Sequence, residues 1–406
     1  MRILIYGGSF NPPHTGHIRS AQVAARALGP DKVFFIPAAI PPHKTLAEGT
    51  PAQKDRFMMT ALAAREVPGG EALDIELRRQ GPSYTSDTLR ALHGQYPEAE
   101  LVFLVGTDML LTLDQWHEPE VILSLASIAV FSREPGREAQ IKSKATTLRE
   151  KYGATVYALE GAPIEVSSTE LRAMLPQRAG REYLSEDVYA YIIRRWLYDA
   201  KPDFAWLRER AYAYLKPSRI PHVQGTEDEA RRLAARWNVP EEDAAEAAIL
   251  HDITKKLTWD EQLRLGDKYG IIWDNVERSN EKLLHARTGA ALAADEFGVP
   301  EPIREAIRWH TTGKPDMTDL ERVIYLADYI EPGRSGFSGL AELRQAAYED
   351  MDRAMELALR MSLWEVSSKG RTPHENSMKA HEYYLKQLET KGMAPFPWEA
   401  PALENT

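Results

Sequence analysis

The stretch Gly7-Gly8-Ser9-Phe10-Asn11-Pro12-Pro13-His14-Thr15-Gly16-His17 decides how this chain is read. The apolar run before it, Ile3-Leu4-Ile5-Tyr6, reads as a buried strand. The run after it, Ile18 to Leu28, reads as a helix stopped by Gly29. A strand, a glycine-rich turn and a helix start aim backbone N–H groups and the positive end of a helix dipole at an anion. His14 and His17 lie three residues apart, a spacing that puts both on one face of the first helical turn. Gly16 between them lets a ligand approach the backbone. Two surface histidines beside a structural turn are the plainer alternative, and the rest of the chain decides between them.

Working outward, short β-like runs alternate with amphipathic segments of helix length as far as Leu159. Val33–Ile36, Leu73–Leu77, Leu101–Val105, Ile128–Phe131 and Thr155–Leu159 read as further strands. A helix is expected from Ser86, capped by Thr85 or Ser86, and another capped by Ser168 and Thr169. Such alternation predicts an α/β domain, a doubly wound parallel sheet with helices on both faces. Its ligands sit outside the carboxyl ends of the strands. Beyond the short polar break Asp199–Asp203 the strand signals vanish, and helix follows helix, including one long helix over Leu340–Ser367. That half predicts an all-α domain.

The 406 residues are too many for one ordinary domain, and 43% apolar content fills two cores. There is no cysteine, hence no disulfide framework and no thiolate metal site. A formal net charge of −10 argues against nonspecific binding to nucleic acid or anionic membranes. The chain enters its first strand without a signal peptide, and its longest apolar stretch, Val121 to Phe131, is too short to span a bilayer. A soluble cytoplasmic protein is expected, with neither nucleic acid nor membrane as partner; a homo-oligomer stays open.

The strand–HxGH–helix order resembles the nucleotidyltransferase superfamily, and the full Gly7–His17 stretch is similar to bacterial nicotinate-mononucleotide adenylyltransferase. Four more stretches match that family in order. Pro82–Leu89 looks like its nicotinate-site segment, and Val105–Met109 with Trp116 like its GxD…W segment. Phe131–Gly136 looks like its strand-end arginine loop, and Ile164–Arg172 like its ISSTxIR signature, where tRNA synthetases carry a lysine-rich loop. The resemblance implies adenylyl transfer from ATP to nicotinate mononucleotide, giving nicotinate adenine dinucleotide and pyrophosphate. It implies His14, His17, Lys44 and Arg172 at the transferring phosphates. It places Gly7, Gly8, Ser9, Phe10, Thr85, Asp108, Trp116, Arg133, Ser168 and Thr169 at ATP and nicotinate mononucleotide, with Mg²⁺ arriving on the ATP. Taken singly, Thr85 reads as a cap, Trp116 as core and Arg133 as a solvated charge; their joint order carries the reading. A preference for nicotinamide mononucleotide is the rival within this half.

In the second half the histidines carry the information. His222, His251-Asp252, His285, His310 and Asp328 each fall in or beside a different helix. Asp328 lies in the otherwise apolar run Val323–Ile330, where a carboxylate is costly unless paired or bound to metal. Four imidazoles and two carboxylates without a thiol suit Fe, Mn, Co or Zn better than Ca. The order H…HD…H…H…D resembles the HD-domain phosphohydrolases. More narrowly, His251–Lys255, His310–Gly313 and Ala327–Arg334 look like the YqeK-type family, which hydrolyses diadenosine tetraphosphate symmetrically to two ADP. The resemblance implies a metal set of His222, His251, Asp252 and Asp328, with Asp252 catalytic and His285 and His310 at a second metal or at phosphate. Lys255 and Arg334 would bind substrate phosphates, and Arg371 and Asn376 the nucleotide. The alternative is an HD module that binds nucleotide as a regulator without cleaving it. The implied domains are 1–198, the adenylyltransferase; 199–203, a linker; 204–390, the HD phosphohydrolase; and 391–406, a flexible tail.

Overall fold

Ile3, Leu4, Ile5 and Tyr6 lie in β1 (Arg2–Gly8) and are all buried, as a central strand covered on both faces requires. The computed structural model describes residues 1–42, 45–131, 136–160 and 166–401. After β1 come α1 (Thr15–Leu28), β2 (Lys32–Pro37), α2 (Gln53–Ala64), β3 (Gly70–Ala72), α3 (Thr85–Gln95) and β4 (Glu100–Gly106). Then follow α4 (Thr107–Thr112), α5 (Pro119–Leu125), β5 (Ala126–Phe131), α6 (Glu138–Tyr152), β6 (Val156–Leu159), α7 (Ser168–Met174) and α8 (Glu186–Arg194). Among the described residues these strands form one sheet in the order β3-β2-β1-β4-β5-β6, with every neighbouring pair parallel. The order reverses between β1 and β4. Their carboxyl ends, Gly8 and Gly106, therefore flank the crevice where such sheets bind ligands.

Several local expectations change. The strand expected over Leu73–Leu77 lies instead at Gly70–Ala72. Its ladder with β2 ends at Leu73, whose N–H reaches Phe35 O at 2.9 Å. Glu76 then turns inward to accept from Thr88 Oγ1 at 2.8 Å, which breaks the alternation that suggested a strand. Tyr84, not Thr85 or Ser86, is the N-cap of α3, and Ser86 is buried. Ser167, not Ser168 or Thr169, caps α7 in a reciprocal box with Glu170. Gly70 tolerates nothing larger, because a Cβ there runs into the carbonyl oxygens of Ala64 and Val67. Gly70→Ala is expected to cost the first unit about 1–3 kcal/mol. Calorimetry reads this as a lower midpoint; an unchanged midpoint means residues 65–69 relax freely.

The chain divides into two compact units, Met1–Lys201 and Pro202–Thr406. The second is built from α9 (Phe204–Ala213), α10 (Ile220–Trp237), α11 (Glu241–Leu250), α12 (Trp259–Lys268) and α13 (Glu281–Phe297). It continues with α14 (Glu301–Trp309), α15 (Asp319–Ile330), α16 (Leu340–Glu349), α17 (Met351–Ser368) and α18 (Glu375–Thr390). The long helix expected over Leu340–Ser367 is two helices. Asp350 between them is extended (φ −151°, ψ 119°), and its side chain accepts from Arg353 N to cap α17. The segment read as a tail packs back in part: Phe396 is buried, and its carbonyl accepts from Arg360 Nη2 at 2.7 Å. Among the described residues no helix is long and apolar enough to cross a membrane.

Candidate functional site

In the first unit, His14 is the N-cap of α1 and His17 its third residue, so the helix begins three residues earlier than Ile18. Each ring is fixed by the backbone. His14 Nδ1 accepts from Gly16 N, and His17 Nδ1 accepts from His14 N, both at 3.2 Å. A ring nitrogen that accepts carries no proton, so in the neutral rings the proton sits on Nε2, ready to donate. Phe10 is fully buried, its ring edge-on to Tyr6 at 5.6 Å and to His17 at 5.1 Å. It can offer a ligand only its backbone. Gly7 and Gly8 end β1, and a Cβ on Gly8 would meet the Phe10 ring at 3.2 Å.

Residues far apart in sequence close on this turn. Ser168 Oγ donates to Pro12 O at 3.0 Å, and Arg172 Nη1 to Asn11 O at 2.7 Å. Thr169 is exposed beside them, its Oγ1 accepting from Arg172 Nη2 at 3.2 Å. The start of α7 therefore abuts the Gly7–His17 stretch. Asp108 is exposed at the start of α4. Thr85 is half-buried as the first residue of α3. Trp116 is half-buried against the core, 6.3 Å from the Phe103 ring. Tyr84 stacks on His117 at 4.1 Å, and Arg90 grips Glu118 through two bonds of 2.7 and 2.8 Å, so the Thr85 and Trp116 segments adjoin. Hydrogen bonds from Arg90 hold the Glu118 carboxyl down to about 2. Lys44 and Arg133 lie outside the described residues. Sequence reasoning missed Arg56, whose buried guanidinium donates to Ser9 O at 3.1 Å and Ala38 O at 2.7 Å, joining the loops after β1 and β2. Its signal was an arginine in the buried stripe of α2, with Met59, Thr60 and Ala63.

In the second unit five elements bring the predicted set together. His222 Nε2 lies 2.9 Å from Asp328 Oδ1, and His251 Nε2 lies 3.4 Å from Asp252 Oδ2 and 3.9 Å from Asp328 Oδ1. Asp252 Oδ1 lies 3.1 Å from His285 Nε2 and 3.7 Å from His310 Nε2. Two groups could hold a metal ion: His222, His251 and Asp328; and His251, Asp252 and His310. The backbone again sets the tautomers, in the opposite sense. His251 Nδ1 lies 2.6 Å from Ala248 O, and His310 Nδ1 2.7 Å from Ile307 O. Carbonyls only accept, so both Nδ1 atoms carry protons, and in the neutral rings both Nε2 atoms turn lone pairs inward. His222 Nδ1 faces Glu331 Oε1 at 3.1 Å with the same result.

The donor set fits a cation. His251 Nε2 and Asp252 Oδ1 are buried with no hydrogen-bond partner among the described residues, which leaves two atoms that could serve a cation. Burial, helped by Lys255, drives His285 down to about 3, and burial lowers His310 as well, which keeps both rings neutral. Burial also lowers His251, but Asp252 and Asp328 overturn this and hold it above its ordinary value. Burial raises a carboxyl, yet His251 and Lys255 around Asp252, and His222, His251 and Arg334 around Asp328, hold both well below the usual range.

Three cations line this cluster. Lys255 Nζ lies 2.9 Å from His285 Nε2, and Arg334 Nη2 donates to Asp328 Oδ1 at 2.8 Å. Arg219, which motif reading missed, grips Asp252 Oδ2 through Nε at 2.6 Å and Nη2 at 2.5 Å. Its signal was its place one helical turn before His222. A cavity of about 240 Å³ in this unit is walled by residues that include Arg287, Arg308, Trp309, Thr311, His374 and Asn376. Arg371 is exposed and does not line it. Asp274, Glu277 and His374 also cluster there. His374 Nδ1, however, accepts from Asn376 N at 3.1 Å, so Nε2 keeps its proton, 2.9 Å from Asp274 Oδ2, and does not suit a metal.

Comparison with known proteins divides the chain in the same way. Residues 5–174 match the cytidylyltransferase-like family model, and residues 219–333 match the HD domain. The probable nicotinate-nucleotide adenylyltransferase of Gloeobacter violaceus is 40% identical over 200 residues, covering 49% of this chain and 96% of its own. That of Geotalea daltonii is 37% identical over 215 residues, covering 49% and 99%. A solved protein of Clostridium acetobutylicum, described as a predicted HD superfamily hydrolase involved in NAD metabolism, is 34% identical. The match covers 46% of this chain and all of that one, at a TM-score of 0.45.

Proposed function

We propose a function for each half from one premise: the chain belongs, through its first half, to the nicotinate-nucleotide adenylyltransferase family. The first unit transfers the adenylyl group of ATP to nicotinate mononucleotide. The observation that carries this is the pair of Nε2–H donors at the carboxyl end of β1, closed upon by Ser168 and Arg172. An oxygen of the mononucleotide phosphate attacks the α-phosphorus, and the bond to the bridging oxygen breaks to release pyrophosphate. The nucleophile is already an anion, so no general base is needed, and positioning with charge neutralisation does the work. His14 and His17 donate to the triphosphate, Arg172 adds fixed positive charge, and Mg²⁺ enters with ATP. Asp108 suits ribose hydroxyls, Trp116 the pyridine ring, and Thr85 the nicotinate carboxylate. Lys44 and Arg133 are assigned to phosphate on sequence alone. Comparing turnover of nicotinate and nicotinamide mononucleotide tests the reading; equal or greater turnover of the amide would overturn the nicotinate assignment.

The second unit is read as a metal-dependent hydrolase of diadenosine tetraphosphate. What supports this is the convergence of four imidazoles, from two helices and two turns, on Asp252 and Asp328. His222, His251, Asp252 and Asp328 would hold the ion, with Fe first and Mn, Co or Zn as the others; His285 and His310 would hold a second ion or phosphate. A divalent ion there supplies Lewis acidity toward phosphate oxygens and makes water acidic enough to attack at neutral pH. Lys255, Arg334 and Arg219 neutralise charge as one water is added and the tetraphosphate divides into two ADP. Asn376, on the cavity wall, suits the nucleoside. The test is ADP release by the full chain, purified reduced and anaerobic, with each metal supplied in turn. Nucleotide binding without cleavage, coupled to a changed adenylyl-transfer rate, would support the regulatory reading instead.

Glu331, which the motif reading contains but gives no role, orients His222 and is itself held by Gly333 N at 2.5 Å. Glu331→Gln is expected to weaken metal binding about 10–100-fold. Competition with a chelator measures this, and unchanged affinity would separate Glu331 from the metal site.

A further inference from the structure

The first unit ends in a backbone arrangement that seldom forms without a reason. Trp196 (φ 49°), Tyr198 (φ 61°) and Asp199 (φ 53°) all take left-handed conformations, and none is glycine. Side chains crowd the backbone in this conformation, so something must hold them. Ala200 N bonds to Leu197 O and Lys201 N to Leu175 O, both at 3.1 Å, which anchors the turn on both sides. The turn delivers the Tyr198 hydroxyl to Asn11, where it donates to Oδ1 at 2.8 Å. Burial pushes this hydroxyl far up, so it stays a donor at any working pH.

Asn11 is 3% exposed, and its side-chain amide and its carbonyl all have partners. Its Oδ1 takes Tyr198, its Nδ2 donates to Thr50 Oγ1 at 2.8 Å, and its carbonyl takes Arg172 Nη1 at 2.7 Å. Three residues later His14 begins α1 and presents one of the two Nε2–H donors. The chain therefore holds the turn that aims His14 by a hydrogen bond from a residue 187 positions away. A nearby hydrogen bond offers a comparison: Tyr191 OH donates to Asp55 Oδ1 at 2.8 Å without touching this turn.

We propose that Tyr198 is a positioning residue for the adenylyl-transfer site, acting through Asn11 on the Asn11–His14 turn. The inference rests on the adenylyltransferase reading above. The strained turn at residues 196–199 is then part of that site's framework and not merely the end of a unit.

The test uses the full chain with ATP and nicotinate mononucleotide, and expresses rate per titrated ATP-binding site. A purely structural role lowers the number of competent sites and not the rate of each. Tyr198→Phe is expected to lower the rate per site about tenfold. Tyr191→Phe, which loses an equivalent hydroxyl bond, is expected to stay within about twofold whatever its unfolding midpoint. Asn11→Ala combined with Tyr198→Phe should be no slower than Asn11→Ala alone, because both remove one contact. A Tyr198→Phe rate per site equal to that of the unaltered chain overturns the proposal, as does a loss that adds fully to that of Asn11→Ala. If the unaltered chain itself forms no dinucleotide, the adenylyltransferase reading fails, a different result from either.

Discussion

Replacing Asp252 by asparagine is expected to lower ADP release from diadenosine tetraphosphate by about a thousandfold or more and to strip the second unit of its metal. Asp252 has no exposed surface, and its two oxygens serve different neighbours. Oδ2 faces Arg219, His251 and His222, while Oδ1 faces His285, His310 and Lys255. Asparagine keeps the shape but replaces one acceptor with an N–H₂ donor, aimed either at a guanidinium or at the imidazole lone pairs. It also removes the negative charge that offsets Arg219 and Lys255. Those two cations are partly exposed, so the stability cost is about 2–3 kcal/mol, below the full penalty of breaking a buried pair. Metal content by elemental analysis and ADP by chromatography read the two effects. Adenylyl transfer by the same sample, within about twofold of the unaltered chain, shows that the rest of the molecule is intact. Cleavage at the original rate by the asparagine variant would remove Asp252 from the mechanism.

The second large effect belongs to His17. His17→Ala is expected to lower the turnover number for adenylyl transfer by about 10²–10³-fold, with little change in the Michaelis constant for nicotinate mononucleotide. The reason is the tautomer. Because His17 Nδ1 accepts from His14 N, Nε2 of the neutral ring carries the proton, which the proposed reaction directs at charge developing on the departing pyrophosphate. The same substitution removes half of the cap box of α1, at a cost of about 1 kcal/mol. Loss of a cap alone shifts the unfolding midpoint by a few degrees and leaves turnover nearly intact. His17→Gln, which keeps an N–H donor, should recover part of the loss. Turnover by His17→Ala within about threefold of the original would mean that the ring serves only the helix.

Much of this protein could be read from residue order. Glycines, prolines and two histidines after an apolar run specify strand, turn and helix, because those residue types act on the backbone within a few positions. The six-member cluster of histidines and aspartates was legible for a similar reason: an imidazole or carboxylate inside an apolar helix is conspicuous wherever it lies. Amphipathic patterning over Leu73–Leu77 misled, since Glu76, polar in the pattern and expected outward, turns inward to Thr88 and breaks the alternation. The break at Asp350 was hidden because a capping aspartate in an apolar stripe resembles any other polar residue.

Sequence alone therefore determined the two architectures and nominated the side chains proposed to bear the chemistry. The tertiary structure decided what those side chains can do. It set the histidines of the first unit as donors and His222, His251 and His310 of the second as acceptors, through the backbone and carboxylate partners of each Nδ1. It also recruited Arg219, Glu331, Arg56 and Tyr198, whose types signal nothing by themselves. The physical reason is range. Propensity and periodicity act over one or two turns, whereas Arg172 meets Asn11 across 161 positions and Tyr198 meets it across 187. Contacts of that length exist only once the sheet and helices have packed.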